Sequence, residues 1–381
     1  MKEGWKRSTL NEVCFLNKNQ GKYSNLNYVG MENIEANTGK ILSYEDSSEI
    51  KSSTFRYDKG DVLYGRLRPY LKKVIIAPFD GCCSTEIYPI KTTHISNKFL
   101  MYWFLLDSIT GKINETCSGC RMPRANMKLL MEFEINYPSI SEQQRIVDIL
   151  DKAFEKIDKI KSNAEKNLQQ AKDLFNAKLS KELLDKEHYG KQKLGEIYDV
   201  RDGTHDSPKY QEIGYPLVTS KNLRSWGIDV TDVKYISEED YLKINQRSKV
   251  DKGDVLFAMI GSIGNPAIVK EEPNYAIKNV ALFKVPSNQS GMYLMYCLAS
   301  NYYLSTILKN KSGANQPFVS LNYLRNFEIV IPPLDEQQKI VSKLDSLSEK
   351  CKNLEANYNR ILTECDALKQ AFLRKAFNGE L

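Results

Sequence analysis

The chain contains two copies of one sequence unit. Between Phe133 and Asp151 lie Phe-Glu-Ile, Pro, Glu-Gln-Gln, Ile-Val and Leu-Asp elements, and all of them recur between Phe327 and Asp345 at a constant offset of 194. Upstream, Asp-Lys-Gly-Asp-Val-Leu at 58–63 recurs at 251–256. A chain of 381 residues is long enough for two or three domains. The sequence therefore predicts an internal pseudo-twofold repeat, which suits a partner that presents two similar sites.

Composition limits the class of protein only loosely. Hydrophobic residues make up 41% of the chain, so both halves can bury a core, and the net charge of +6 permits a nucleic-acid partner without requiring one. The chain has no apolar segment typical of a signal peptide or a membrane span. With eight scattered cysteines and no secretory framework, we expect a cytoplasmic protein with reduced thiols.

One group of cysteines could in principle bind zinc. Cys117 and Cys120 have Cys-x-x-Cys spacing, and Cys82 and Cys83 could supply two further thiolates. Adjacent cysteines are unusual in such sites, and the second copy has no counterpart. We therefore predict no metal site.

Residue composition and apolar periodicity divide the sequence into four predicted segments. Residues 1–138 and 187–333 carry short apolar runs interrupted by Gly, Pro, Asn and Asp, which is typical of α/β (α+β) globular domains. Residues 139–186 and 334–381 have helical periodicity instead, with Ser141 and Asp335 as candidate N-caps. The predicted fold class is thus two globular domains joined by two long antiparallel coiled-coil helices.

The two helical segments each show an apolar seam whose spacing alternates between three and four residues. The predicted seam consists of Ile146, Leu150, Ile157 and Ile160 in the first helix and of Leu344, Leu347, Leu354, Tyr358, Ile361 and Leu368 in the second. Smaller residues in the first seam match larger ones in the second, as expected if the helices pack on each other. The alternative is two separate helices, each packed on its own globular domain.

Motifs for catalysis are missing from the sequence. The Gly-Lys pairs at 21, 39, 111 and 190 lack a following Ser or Thr, which excludes a P-loop. Three histidines offer little material for triad or metal chemistry, and the segment Ala314–Phe318 only partly matches the Asn-Pro-Pro-Phe motif of amino-methyltransferases. We predict a chain without a catalytic site.

Candidate DNA-binding residues of the first domain lie in two basic clusters. Arginine suits bidentate contact with guanine edges, and lysine suits phosphate contact. A solvated basic loop is the alternative for either cluster alone, but two clusters in one domain favour DNA. The predicted contacts are Arg66, Arg68, Tyr70, Lys72, Lys73, Arg121, Arg124 and Asn126.

Those of the second domain lie mainly in turn-rich loops that offer both donors and acceptors to base edges. The predicted contacts there are Arg201, Thr204, His205, Ser207, Lys209, Tyr210, Lys221, Asn222, Arg224, Asn265, Asn315 and Gln316. Arg66 and Arg68 correspond to Met259 and Gly261 in the second copy. A repeated scaffold with unrepeated recognition side chains is what two domains with different DNA targets would show.

The sequence resembles the specificity subunits of type I restriction-modification systems. The resemblance lies in the paired Pro-x-x-x-Glu-Gln-Gln-(Arg/Lys)-Ile-Val segments at 138–147 and 332–341, the Lys-Gly-Asp-Val-Leu segments, the 202–208 loop and the terminal segment 377–381. It extends over essentially the whole chain. Its motifs occur twice in the same order, which makes it specific.

The resemblance implies a non-catalytic chain that reads a bipartite, asymmetric DNA site. Each of two target recognition domains would bind one half-site of double-stranded DNA, and the helices would act as a ruler and dock two methyltransferase subunits. Those partners would bind S-adenosylmethionine and methylate adenine, and restriction subunits would use ATP and Mg; this chain itself would bind no cofactor.

Three other readings remain open on the sequence alone. The chain could be a coiled-coil scaffold that joins two protein-binding domains without reading DNA. It could be a methyltransferase or nuclease of unfamiliar design, which the missing motifs disfavour. It could also serve a two-component methylation system without restriction, since that difference lies in neighbouring subunits.

Overall fold

The computed structural model describes residues 2–119, 121–224, 227–313 and 317–381. These residues form two compact units. Unit 1 comprises Met1–Glu165 and Asn359–Leu381, and unit 2 comprises Lys166–Tyr358. Each unit therefore combines one globular domain with parts of both helical segments.

Short elements build the globular part of unit 1. They are β1 Lys6–Thr9, α1 Leu10–Val13, β2 Cys14–Leu16, β3 Gln20–Gly21, β4 Asn27–Val29, β5 Glu45–Asp46, β6 Thr54–Tyr57, β7 Val62–Gly65, β8 Val74–Ile76, β9 Gly81–Ser84, β10 Ile87–Thr92, α2 Asn97–Phe104, α3 Asp107–Glu115, α4 Met127–Leu130 and β11 Glu134–Tyr137. The first long helix, α5, follows at Ile140–Leu184.

The globular part of unit 2 repeats this plan with variations. Its elements are β12 Lys191–Lys193, α6 Leu194–Ile197, β13 Asp199–Asp202, β14 Tyr215–Val218, β15 Leu223–Arg224, β16 Gly227–Ile228, β17 Lys234–Ile236, α7 Glu238–Ser248, β18 Val255–Ala258, β19 Gly264–Ile268, β20 Ala276–Ile277, β21 Val280–Lys284, α8 Gly291–Ala299, α9 Asn301–Lys309, α10 Leu321–Asn326 and β22 Glu328–Val330. The second long helix, α11, spans Leu334–Phe377.

A four-stranded antiparallel sheet is the common centre of the two domains. Its strand order is β2-β10-β7-β8 in unit 1 and β13-β21-β18-β19 in unit 2. The duplicated Asp-Lys-Gly-Asp segment forms the turn before β7 and before β18, and Gly60 and Gly253 have φ values of +93° and +92° there. The predicted α/β duplication is therefore confirmed at the level of the backbone.

Both long helices are present, and they run antiparallel within each unit. In unit 1, Lys161 of α5 pairs with Asp366 of α11 at 2.9 Å, while Asp158 pairs with Lys369. In unit 2, Lys343 of α11 lies 3.5 Å from Glu182 of α5. Each unit thus contains a segment of both helices packed on its globular core, rather than one helix on each domain.

The start of α5 and part of the predicted seam differ from expectation. Ser139, not Ser141, precedes the helix, and its hydroxyl accepts the Glu142 N–H at 3.4 Å. Three predicted seam residues, Ile160, Leu354 and Leu368, are 50%, 41% and 45% exposed. The residues buried in the middle of the helices are instead mostly small: Ile157, Ala164 and Ala171, seven positions apart in α5, and Cys351 and Cys365, fourteen positions apart in α11. Because small side chains allow helices to approach closely, one row carries the contact and the flanking positions face solvent.

The first glutamine of the Glu-Gln-Gln motif joins each domain to its helix. Gln143 is fully buried; its Oε1 accepts the Ser96 N–H at 2.8 Å, and its Nε2 donates to the Pro138 carbonyl at 3.0 Å. Gln337 repeats both bonds with Ser290 and Pro332, at 2.9 and 2.8 Å. Since Ser96 and Ser290 cap α2 and α8, the motif ties the start of a domain helix to the start of a long helix.

Candidate nucleic-acid interface

The fold of unit 1 brings the two predicted basic clusters together. The segment after β7 pairs with the segment before α4: Arg68 N–H donates to the Pro123 carbonyl at 2.7 Å, and Ala125 N–H donates to the Arg66 carbonyl at 2.9 Å. The clusters at 66–73 and 121–126 are thus neighbours in space, although some fifty residues separate them in sequence. A cleft of about 720 Å³ lies beside this pairing.

A carboxylate that the sequence did not single out orients two of the arginines. Glu86 accepts Arg66 Nε at 2.9 Å through Oε2 and Arg124 Nε at 2.9 Å through Oε1. The Arg66 guanidinium also lies 5.5 Å from the centre of the Tyr88 ring, a cation–π distance. Arg66, Arg124 and Tyr88 all line the cleft.

Arg68 occupies a backbone conformation that costs free energy. Its φ of +51° is left-handed, and the corresponding residue in unit 2 is Gly261, with φ +74°. The Arg68 side chain is exposed and forms no hydrogen bond or ion pair with the described residues. A strained residue with an unpaired cationic side chain, at a position that a glycine fills in the second copy, indicates a role outside the folded core.

Three of the predicted contacts in unit 1 have structural roles instead. Lys72 is buried, and its ammonium pairs with Asp107 and donates to the Leu105 carbonyl at 3.2 Å, so it is unavailable to DNA. Lys73 Nζ donates to the Met31 carbonyl at 2.5 Å. Asn126 caps α4, since its Oδ1 accepts the N–H groups of residues 128 and 129 at 3.1 and 3.3 Å. Tyr70 and Arg121 are exposed, as predicted contacts should be.

Substitutions at Arg68 and Lys72 should therefore act in opposite ways. We expect Arg68→Gly to leave the free energy of unfolding unchanged or to raise it by up to about 1 kcal/mol, because glycine relieves the left-handed strain. Lys72→Ala should lower it by about 1–3 kcal/mol, because it removes a buried charge-assisted hydrogen bond. Urea denaturation of both variants tests this, and an Arg68→Gly protein that unfolds more readily than Lys72→Ala would contradict the assignment.

Unit 2 keeps the same backbone pairing with different side chains. Gly261 N–H donates to the Pro317 carbonyl, and Val319 N–H donates to the Met259 carbonyl, both at 2.9 Å. These bonds repeat those of Arg68 and Ala125, so Met259 and Phe318 stand where unit 1 has Arg66 and Arg124. Asn279, next to β21, stands at the position of Glu86.

A charged network surrounds the predicted 202–208 loop in unit 2. His205 Nε2 lies 2.8 Å from Asp202 Oδ2, and His205 Nδ1 lies 2.9 Å from Asn279 Oδ1. The hydrogen bonds with Asn279 and Asp202 raise the pKa of His205. Asp202 is buried and also pairs with Arg247 from α7. The contacts of Asp202 and Asn279 fix the start of the exposed loop and favour the cationic form of His205.

One predicted base reader in unit 2 is a structural residue. Asn222 is buried, and its amide donates to the carbonyls of Asp229 and Asp232 at 3.1 and 2.9 Å, while its Oδ1 accepts the Thr219 N–H at 3.0 Å. With its donors and acceptor satisfied, it has no capacity for a base. Asn33, its counterpart, is equally buried and accepts the Gly30 N–H at 2.6 Å, so the pair marks a duplicated turn.

The remaining predicted residues of unit 2 divide into engaged and open side chains. Arg201 pairs with Asp199, Arg224 lies 3.5 Å from Asp229, Ser207 accepts from Lys278 at 2.7 Å, and Thr204 accepts the Asp206 N–H at 3.1 Å. Among the described residues, no hydrogen bond or ion pair engages the exposed side chains of Lys209, Lys221 and Asn265, and Lys234 Nζ lies 5.8 Å from the centre of the exposed Tyr210 ring. The predictions at Asn315 and Gln316 lie outside the described residues.

Among the described residues, no group of three or more His, Cys, Asp or Glu side chains is placed to hold a metal ion, and Cys120 of the possible zinc set is outside them. Within the same residues, no helix has both the length and the apolar character needed to cross a membrane.

Two globular domains that alternate with two long helices form a duplicated scaffold, and known proteins share this organisation. The family model for the type I restriction modification DNA specificity domain matches residues 2–170 and again 186–363. The chain therefore belongs to this family. Specificity subunits of type I systems are non-catalytic, and their methyltransferase and restriction partners carry out catalysis.

Curated relatives agree with this membership. The chain is 32% identical over 161 residues to the EcoDI specificity subunit of Escherichia coli, covering 42% of this chain and 36% of that protein. It is 24% identical over 309 residues to the EcoBI specificity subunit of Escherichia coli, covering 74% and 65%. The match thus spans less than two thirds of either relative.

The fold is similar to two solved structures. One is a chain from a study of complex assembly and conformational transition of the type I R-M system, with a TM-score of 0.83, 23% identity, and coverage of 100% of this chain and 99% of that one. The other is the HsdS subunit from Thermoanaerobacter tengcongensis, with a TM-score of 0.58, 23% identity, and coverage of 100% and 98%.

Proposed function

We propose that this chain reads a bipartite, asymmetric site on double-stranded DNA, with each globular domain binding one half-site. The observation that carries the proposal is the contrast between the two copies. Their backbones pair in the same way, but Arg66, Arg68 and Arg124 in unit 1 are replaced by Met259, Gly261 and Phe318 in unit 2. Equivalent surfaces with different side chains suit two different DNA sequences.

The two long helices have a separate role in this proposal. They fix the number of unspecified base pairs between the half-sites and dock two methyltransferase subunits, which bind S-adenosylmethionine and methylate adenine. Restriction subunits that use ATP and Mg complete the assembly in the cytoplasm. Support comes from the family membership and from the names of the relatives, which are type I restriction enzyme specificity subunits.

Charge removal in the proposed interface tests DNA reading against a pure scaffold. Alanine at Arg66, Arg68 and Lys209 together should weaken duplex binding by the complex with the methyltransferase subunits, and the slope of log K against log salt should fall by up to about 3. A matched control replaces Lys51, Lys112 and Lys309, which are exposed and unpaired among the described residues. Equal salt-dependent losses in both triple variants, or no loss while the subunits still assemble, would favour the scaffold.

A further inference from the structure

We propose that Arg66 and Arg124, held side by side by Glu86, form the reader of a guanine base in the half-site bound by unit 1. Glu86 is a positioning residue in this arrangement, because it touches the two arginines rather than the base. The inference rests on the proposed DNA reading. It adds the chemical identity of one recognised base and the residues that recognise it.

The bonds to Glu86 leave the terminal Nη atoms of Arg66 and Arg124 available to a DNA base. Each Nε is bonded to Glu86, at 2.9 Å in both cases. The terminal Nη atoms form no hydrogen bond with the described residues except a long contact of 3.5 Å between Arg66 Nη1 and the Tyr88 hydroxyl. The arginine side chains are 29% and 41% exposed, so a ligand in the cleft can reach them.

The charge of the cluster favours a base over a phosphate. Two guanidinium groups and one carboxylate give a net charge of +1, and the carboxylate would lie close to any phosphate bound by the Nη atoms. Guanine presents O6 and N7, two neutral acceptors in the major groove that match the guanidinium fork. A carboxylate beside the fork therefore weakens phosphate binding while it orients the donors for a base edge.

The backbone around the cluster is already fixed before any ligand binds. Arg66 N–H donates to the Glu86 carbonyl at 2.9 Å, and residues 67 and 124 form a β-bridge. The Tyr88 ring packs against the Arg66 guanidinium. Because side chains that are held in place lose less conformational entropy on binding, this arrangement favours a specific contact over a loose electrostatic one.

Unit 2 lacks all three charged residues, which makes it an internal control. Met259, Phe318 and Asn279 occupy the positions of Arg66, Arg124 and Glu86. The guanine contact is therefore confined to one half-site, and substitutions in the cluster should leave recognition of the other half-site unchanged.

The test uses the full chain assembled with its methyltransferase subunits and duplexes in which each guanine of the recognised site is replaced in turn by 7-deazaguanine, which lacks the N7 acceptor. The wild-type complex should lose affinity by about 5- to 10-fold at one guanine of one half-site, the loss expected for part of a bidentate base contact. Arg66→Met and Arg124→Phe, which introduce the residues of unit 2, should abolish this discrimination. Arg7→Met removes an exposed arginine of unit 1 that pairs with Glu134 and is not among the predicted DNA contacts, so it should preserve the discrimination.

Glu86→Gln separates positioning from simple folding. We expect weaker discrimination at the same guanine together with tighter binding to unrelated duplexes and a steeper salt slope, because the cluster gains positive charge. A misfolded domain would lose both activities, and near-ultraviolet circular dichroism identifies it. Discrimination that survives both Arg66→Met and Arg124→Phe, or a half-site without a discriminated guanine, would overturn the inference. A wild-type complex without any sequence preference would instead refute the proposed DNA reading.

Discussion

Four residues inserted into α5 after Lys166 should lengthen the unspecified spacer of the DNA site and leave both half-sites unchanged. A helix gains about 1.5 Å per residue, so the insertion adds about 6 Å, or between one and two base-pair steps at about 3.4 Å each. Insertions of four residues are accommodated in coiled coils by local unwinding. Methylome sequencing of a host that expresses the variant with its methyltransferase subunit would measure the new spacer directly.

The control is the same insertion in an exposed loop. After Glu271, between β19 and β20, four extra residues should change neither the spacer nor the half-sites, because exposed loops tolerate insertions. An α5 variant that methylates altered half-sites would show that the helices, rather than the globular domains, take part in reading sequence. That result would contradict the division of roles proposed for this chain.

Loss of either buried glutamine should destabilise one unit and spare the other. Gln143→Ala removes the two hydrogen bonds that tie α2 to α5 in unit 1, and it leaves the Ser96 N–H and the Pro138 carbonyl without those partners. Unsatisfied buried groups cost about 1–3 kcal/mol each, so we expect a loss of about 3 kcal/mol. Gln337→Ala should have the same effect in unit 2. Hydrogen exchange resolved along the chain would show which unit opens more often.

The neighbouring glutamines provide matched controls. Gln144 and Gln338 have the same side chain and lie one residue further along each helix, but both are exposed. Their replacement by alanine should change stability by less than about 0.5 kcal/mol. Equal protection factors in the Gln143→Ala and Gln144→Ala proteins would show that the hydrogen bonds of Gln143 do not stabilise unit 1.

Features set by local patterns could be predicted from the sequence. Apolar periodicity located the first long helix, at 140–184, to within two residues and the second, at 334–377, to within four, and the duplicated segments located the equivalent turns and sheets. The seam was predicted less well. A seven-residue pattern does not show that small residues such as Ala164 and Cys365 are buried while Ile160 and Leu368 are exposed.

Features set by contacts between distant residues could not be predicted. Lys72 and Asn222 are residue types that often contact DNA. In the structure, however, Lys72 pairs with Asp107, and Asn222 donates to the carbonyls of Asp229 and Asp232. Glu86 lies in no basic cluster, and only the pairing of two distant segments makes it the partner of two arginines. The one sequence signal that could have drawn attention to Glu86 is its place immediately before β10, in a domain with two basic clusters.

Methylome sequencing with and without this chain tests the central claim most directly. The host would express the neighbouring methyltransferase subunit in both cases, and single-molecule sequencing would map methylated adenines. We predict a bipartite adenine-methylated motif, with two different half-sites and a fixed spacer, that disappears when the chain is absent. An unchanged methylome, although the subunits demonstrably assemble, would contradict DNA reading and leave a scaffold as the better account.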